Sequence, residues 1–203
     1  MTLAAGGAGA ATAPRATPQG PAVGGWASYR WTSTLTQTVP VVVQQTTAAG
    51  PGALSVVQEA APLPPVIVTY SVVRGDRRTY TLQITTHEQP DSPPLSVTQV
   101  TVDRASGKAR RSLIRYPKGL IATPESGLRP VRETDVAQGR PEEITVPAGR
   151  FTATRGAAQG AEVWASNQVP ALGLVKATWR EGTLELRTSG TTGATDLFKT
   201  ASR

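Results

Sequence analysis

Apolar and polar residues alternate with a period of two along most of the chain after Gly24. Thr and Val are abundant, and Gly, Pro, Asn and Asp separate the alternating segments, a pattern typical of many short β-strands. Residues 79–85 show it most clearly, because Tyr80, Leu82 and Ile84 fall on one face and only Thr and Gln on the other. We expect this strand to have one face in the core and one in water.

Two apolar segments depart from this alternation. Residues 66–73 are apolar on both faces, which indicates a central strand. Residues 37–45 contain Pro40, and because proline has no backbone N–H it confines its strand to an edge or a bulge. Such an edge can accept a strand from a partner protein.

Turn residues join the segments into hairpins. Glu181-Gly182 predicts a turn before the strand formed by residues 183–187, and residues 103–107 predict a second hairpin loop. The alternation changes phase between residues 95 and 103, and a bulge near Thr98 would reconcile its two parts. Residues 117–141 contain few apolar side chains and predict a long loop of the kind that often carries function.

These patterns predict a mostly β protein with a single curved antiparallel sheet or half-open β-barrel of about ten strands and little helix. Residues 1–23 are expected to form a flexible Ala/Gly/Pro-rich arm, because almost none of their side chains is large enough to pack. Residues 24–190 form the antiparallel β domain. Residues 191–203 are expected to be a C-terminal tail or a short helix, with the helix signal at residues 195–199.

The charge of the chain is concentrated in its middle third. Lys and Arg outnumber Asp and Glu by 21 to 14, which gives a net charge of +7. Residues 74–118 hold nine basic and four acidic side chains, so five of the seven net charges fall there. Such a surface attracts phosphates, anionic lipid headgroups or acidic partners. The candidate ligand or partner surface consists of Arg74, Arg77, Arg78, Arg110, Arg111, Arg115 and Tyr116.

Specific nucleic-acid binding is not expected from this basic stretch. Arg110 and Arg111 are adjacent, so on a strand they face opposite sides. Tyr80 falls on the apolar face of its strand, whereas RNA-binding sheets expose their aromatic rings. We expect a solvated, mildly basic sheet face.

Composition also restricts catalysis. The chain has no Cys, which excludes disulfides, thiolate metal sites and a Cys nucleophile. Its single histidine, His87, is adjacent to Glu88, and neighbouring strand residues point to opposite faces. We therefore expect no catalytic residue, no cofactor and no metal. The chain has two clusters of acidic residues, Glu133 with Asp135 and Glu142 with Glu143. Arginines lie near both clusters in the sequence, and we expect the carboxylates to form ordinary surface ion pairs with them.

Two features of the sequence bear on the cellular compartment. No run of residues approaches the roughly 20 apolar residues that span a bilayer. The N-terminus has small residues like those near a signal-cleavage site, but it lacks a basic start and a Leu-rich segment. Two interpretations are expected from these features: a stub left after a signal was removed, or a disordered arm.

The last third of the chain carries a recognisable pattern. It reads V-P-A-G-R-F from Val146, E-V-W from Glu162 and V-P-A-L-G-L-V-K from Val169. This pattern resembles uncharacterised bacterial envelope proteins that are similar to the lipoprotein-localisation superfamily. The resemblance implies a curved antiparallel sheet, half-closed like a barrel, that holds an apolar ligand on its concave side. No catalytic residue is carried over by the resemblance.

Two functions follow as expectations. The first is a non-enzymatic bacterial envelope protein that binds an apolar or lipid-like ligand or a lipoprotein segment, in a cavity reached from residues 117–141. The alternative is a structural or assembly subunit of an envelope-associated complex that uses edge strands and the N-terminal arm. The expected location is periplasmic or associated with the outer membrane, with cytoplasmic as the alternative. Expected partners are an apolar ligand, an envelope protein or, peripherally, an anionic membrane surface.

Overall fold

The computed structural model describes residues 21–47, 50–115 and 129–200, and of these the side chains of residues 42–55 and 200 are not described. Strands dominate this part of the chain, with one short α-helix, α1, at Leu197–Thr200 and a 3₁₀ turn at Glu133–Asp135. The strands are β1 Trp26–Ser33, β2 Thr36–Thr47, β3 Gly50–Pro62, β4 Val66–Gly75, β5 Thr79–His87, β6 Ser96–Asp103, β7 Ala109–Arg115, β8 Ala137–Val146, β9 Gly149–Ala158, β10 Ala161–Ala165, β11 Leu174–Trp179 and β12 Gly182–Gly190.

Ten of these strands form one antiparallel sheet. Their order is β7-β6-β5-β4-β1-β12-β11-β10-β9-β8, so β7 and β8 are the two edges and the sheet is not closed into a barrel. Strands β4 to β7 form one meander and β8 to β12 the other. Among the described strands, they are joined within the sheet only through β1, which pairs with β4 on one side and β12 on the other. The predicted mostly β, antiparallel fold is confirmed.

One face of β1 lies at the centre of the core. Ala27, Tyr29 and Trp31 are at most 2% exposed. Tyr29 lies opposite Val68 of β4 and Leu186 of β12, so one side chain contacts both halves of the sheet. Its hydroxyl donates a hydrogen bond of 3.0 Å to the carbonyl oxygen of Leu174. The phenol is therefore buried with its polar end satisfied.

The second face of β5 is covered, which the sequence did not predict. Gln83 is only 2% exposed, although the alternation placed it in water. Its side-chain amide donates to the carbonyl oxygen of Thr195 at 2.9 Å and accepts from the backbone N–H of Leu197 at 3.0 Å. Gln99 of β6 donates to the carboxylate of Asp196 at 2.9 Å. The expectation of a wet face was wrong because the C-terminal segment lies against it.

The bulge expected near Thr98 was also wrong. Strand β6 pairs with β5 from Ser96 to Asp103 without a shift, and its irregularity lies on the β7 side. Val97 is buried and lies on the same face as Gln99, outside the main core cluster, whereas Val102 belongs to that cluster. The change of phase therefore reflects a strand that is covered on both faces.

The long segment expected at residues 117–141 is shorter than predicted. Residues 116–128 lie outside the described part of the chain, as do residues 1–20 of the expected arm. Residues 137–141 already belong to β8, an edge strand that tolerates Pro141. Between them, residues 129–136 cross the end of the sheet, where Val131 is buried. No described helix is long and apolar enough to span a membrane.

Strands β2 and β3 form a hairpin that is separate from the main sheet. Their register runs from Thr36 opposite Pro62 to Thr47 opposite Gly50, and no other described strand pairs with either. Pro40 lies within β2, as expected for an edge strand. Val57 is 40% exposed although it lies midway along β3.

The two buried tyrosines predict loss of stability at alkaline pH. Burial raises the pKa of Tyr29 and Tyr70, and the nearby Tyr70 adds to the rise for Tyr29. Above pH ~10 the unfolded chain loses these phenolic protons while the folded chain keeps them, so the free energy of unfolding falls as pH rises. Urea denaturation between pH 9 and 12 should show that the free energy of unfolding decreases with pH. Tyr29→Phe and Tyr70→Phe should each make this decrease less steep by up to about 1.4 kcal/mol per pH unit. Unchanged slopes in both variants would contradict this assignment.

Candidate functional site

A half-open cleft of about 700 Å³ lies where several strands of the main sheet begin or end. Four segments surround it: residues 21–25 before β1, residues 103–107 between β6 and β7, residues 129–135 before β8, and residues 167–173 between β10 and β11. Arg104, Arg129 and Arg132 line it, and we call it the arginine cleft.

Residues 129–135, here called the strap, are held in place by hydrogen bonds to the β9–β10 turn and to residues 167–172. The side chain of Gln159 accepts from the backbone N–H of Arg129 and donates to its carbonyl oxygen, both at 2.9 Å. The N–H of Val131 donates to Leu172 at 2.6 Å. Glu133 accepts from the backbone N–H of Asn167 at 2.9 Å. The strap therefore forms a fixed wall of the cleft.

The opposite wall is the β6–β7 loop, which Asp103 organises. Its carboxylate accepts backbone N–H bonds from Ala105 at 3.1 Å and Ser106 at 2.9 Å, and it pairs with Arg110. The hydrogen bonds from Ser106, followed by that from Arg110, lower the pKa of Asp103 to about 2. This carboxylate stays charged at neutral pH and is already engaged within its own loop.

Arg104 connects this loop to the N-terminal side of the cleft. Its Nε donates to the carbonyl oxygen of Asp76 at 2.9 Å, and its two terminal nitrogens lie 3.4 Å from the carbonyl oxygen of Pro21. The guanidinium lies over the ring of Tyr80, 5.3 Å from the ring centre, a cation–π arrangement. Arg104 therefore has a structural role as well as a charge in the cleft.

Arg129 brings a second guanidinium to the same place. A Cβ added at Gly107 would lie 3.8 Å from an Nη atom of Arg129, so this side chain reaches from the strap to the β6–β7 loop. Burial raises the pKa of Tyr80, and the charges of Arg104 and Arg129 act in the opposite direction. Both cations therefore act on one phenol.

The cleft also has an apolar wall. Val169 is 4% exposed and Ala171 is 5% exposed, and both belong to the main core cluster. Pro21, Pro130 and Pro170 contribute further carbon surface to the lining. The arrangement can bind a molecule that has both an apolar part and a negative charge.

Two of the sequence-predicted surface residues hold the C-terminal segment. Arg74 pairs with Asp196. Arg115 donates to the carbonyl oxygen of Leu197 at 3.2 Å and lies 5.4 Å from the centre of the Phe198 ring. Both cations therefore serve an intramolecular contact.

The other predicted surface residues are not brought together. Arg110 pairs with Asp103 beside the cleft, and Arg111 is exposed on β7. Arg77 and Arg78 are exposed in the turn between β4 and β5. Tyr116 lies outside the described residues.

Sequence reasoning did not single out the three arginines of the cleft. Arg129 and Arg132 flank Pro130 within the segment predicted to be a functional loop, and Arg104 lies in a predicted hairpin loop. The signal that the sequence offers is the position of these arginines in predicted loops, where binding residues are often found. The sequence contains no periodic pattern that links these three positions.

The remaining candidates for chemistry have ordinary partners. The Nδ1 atom of His87 lies 2.6 Å from the carbonyl oxygen of Ser92. Glu142 forms an ion pair of 3.2 Å with Arg155. Among the described residues, no group of three or more His, Cys, Asp or Glu side chains could hold a metal ion.

No protein-family model, curated protein or solved structure matches this chain. The resemblance of the last third to bacterial envelope proteins therefore stays an expectation drawn from its motifs. In the structure, V-P-A-G-R-F spans the β8–β9 turn: β8 ends at Val146, β9 begins at Gly149, and Phe151 packs against the core.

Gly173 is predicted to be essential for docking of the strap. Its φ is +70°, and an added Cβ would overlap the carbonyl oxygen of Val131. Gly160 has a similar φ of +74° but open space around it, so it supplies a matched control. In urea denaturation, Gly160→Ala should cost about 1–2 kcal/mol from backbone strain alone. Gly173→Ala should cost about 1–3 kcal/mol more, because the strap must move. Equal losses would show that the strap does not depend on this close approach.

Proposed function

We propose that this chain is a non-enzymatic binding protein of the bacterial cell envelope that holds an apolar or lipid-like ligand in the arginine cleft. The observation that carries the proposal is the cleft itself, with an apolar wall next to the strap. Its volume of about 700 Å³ falls within the range of about 300–1,000 Å³ typical of small-molecule sites. The strap belongs to the segment from which the sequence predicted ligand entry.

The apolar wall supplies a driving force for binding. Val169 and Ala171 belong to the core and also line the cleft. An aliphatic group bound there therefore moves out of water and packs against apolar side chains. Removing about 100–200 Å² of apolar surface from water contributes about 2.5–5 kcal/mol before the entropic cost of association. Even without that cost, the upper figure corresponds to a Kd of about 0.2 mM, so the apolar wall alone supports weak binding at most.

The residues of the cleft favour binding over catalysis. Its two lining carboxylates, Asp103 and Asp135, both accept hydrogen bonds from backbone N–H groups nearby. The single histidine, His87, does not line the cleft. The envelope location rests on the motif resemblance, and fractionation of cells expressing the full-length gene tests it separately.

Filling the cleft should abolish ligand binding. Ala105 is exposed on the β6–β7 loop, lines the cleft and has no side-chain hydrogen bond to lose. Ala105→Trp should reduce the affinity for a fluorescent acyl-chain probe at least tenfold, because an indole occupies the volume that the chain would use. Ala157→Trp, at an exposed position on β9 outside the cleft lining, is the matched control. Equal affinity in the two variants, or no binding by the unmodified protein, would rule out the proposed ligand site.

A second candidate function is self-assembly through the β2–β3 hairpin. The two strands have 12 and 13 residues, and their outer edges have no partner among the described strands. Glu59 is the only charged residue between Thr36 and Pro62. The rest of the chain is strongly cationic, so the hairpin is a region where two copies can approach without charge repulsion. Unpaired strand edges provide the hydrogen-bonding groups for such pairing.

A lysine on the hairpin should prevent this assembly. Val57→Lys introduces a charge midway along β3, where pairing of two copies would bring equal charges together. Light scattering over a range of concentrations should show a dimer for the unmodified chain and a monomer for the variant. Thr152→Lys adds the same charge at an exposed position on β9 and should leave the dimer intact. A monomeric unmodified chain at every concentration would exclude assembly through the hairpin.

A further inference from the structure

Arg104 and Arg129 both line the arginine cleft, one from the β6–β7 loop and one from the strap. Arg104 lies over the Tyr80 ring, and an Nη atom of Arg129 lies 3.8 Å from where a Cβ at Gly107 would be. Among the residues that the structure describes, the guanidinium of Arg129 forms no hydrogen bond or ion pair. A guanidinium that faces a cleft without a partner among the described residues favours a bound anion there.

The nearby carboxylates do not fill this role. Asp103 is engaged by its own loop and by Arg110. Asp76 accepts the backbone N–H groups of Arg78 and Thr79, both at 2.7 Å, within the β4–β5 turn. Each is therefore committed to a turn, and neither forms an ion pair with Arg129.

The other basic cluster of the molecule differs in this respect. Arg74 and Arg115 face the C-terminal segment, where Asp196 supplies the negative charge. That cluster is satisfied within the chain. The arginine cleft is the place where basic side chains, an accessible volume and an apolar wall coincide in the described structure.

We infer that Arg129, together with Arg104, binds a single carboxylate or phosphate group at one end of an amphiphilic ligand, whose apolar part lies against Val169 and Ala171. The inference rests on the proposed function and names its ligand class. A guanidinium suits this task because its planar donors match the oxygens of a carboxylate or phosphate. The strap fixes the backbone of Arg129 through Gln159, which limits the entropy lost when the side chain binds.

Calorimetric titration with octanoate, octyl phosphate, 1-octanol and inorganic phosphate tests this ligand class. Octanoate and octyl phosphate should bind at least tenfold more tightly than 1-octanol, since only they carry the anion. Inorganic phosphate should bind at least tenfold more weakly than octyl phosphate, because it lacks the apolar part. A phosphate ion that binds as tightly as octyl phosphate would overturn the amphiphilic ligand while leaving an anion site.

The Arg129→Gln variant identifies the residue responsible. It should bring the affinity for octanoate down to that for 1-octanol and leave 1-octanol binding unchanged. Arg111→Gln removes the same charge from an exposed position on β7 that does not line the cleft, and it should keep the preference. Circular dichroism checks that both variants are folded. Equal losses in the two variants would attribute the preference to net charge and overturn the inferred site.

The results also separate this inference from the proposed function. Equal binding of 1-octanol and octanoate by the unmodified protein would refute the anion site and support an apolar ligand. Binding of inorganic phosphate without binding of any octyl compound would support the anion site and refute the lipid-like ligand. Failure of all four compounds to bind would refute both.

Discussion

The structure depends on the position of β1 between β4 and β12. This one strand joins a meander of four strands to a meander of five, and each meander otherwise pairs only within itself. Tyr29 and Trp31 lie opposite residues of both neighbouring strands, so their burial stabilises the two halves together. A large buried aromatic ring contributes strongly at such a position, since it removes much apolar surface from water. The core is continuous because it is organised around this junction.

The arginine cleft is a consequence of the same topology. The beginning of β1 and the end of β12 lie at one end of the sheet, close to the β6–β7 loop, and the strap crosses that end through Val131. Loops from both halves of the chain therefore surround one volume. The hairpin β2–β3 leaves the sheet after β1 and contributes nothing to this site, which is why ligand binding and self-assembly can be tested independently.

The accuracy of the sequence predictions follows the range of the interactions involved. The alternation of Tyr80, Leu82 and Ile84 correctly identified a strand and its core face, because side-chain direction along a strand is a local property. The same alternation failed for Gln83, whose partner Thr195 is 112 residues away. The bulge expected near Thr98 failed for the same reason, since nothing near β6 in sequence reveals that the C-terminal segment covers its second face. Tyr116 and most of the expected arm lie outside the described residues.

The sequence by itself determined the antiparallel β architecture, most turns and the concentration of positive charge in the middle of the chain, because period, turn chemistry and composition act over a few residues. Only the tertiary structure decided which groups the arginines contact. It directs Arg74 and Arg115 to the C-terminal segment, and it brings Arg104 and Arg129 to one cleft beside Tyr80. The physical reason is that an ion pair or a cleft depends on distance in space, and two segments far apart in sequence become neighbours only when β1 joins the two halves of the sheet.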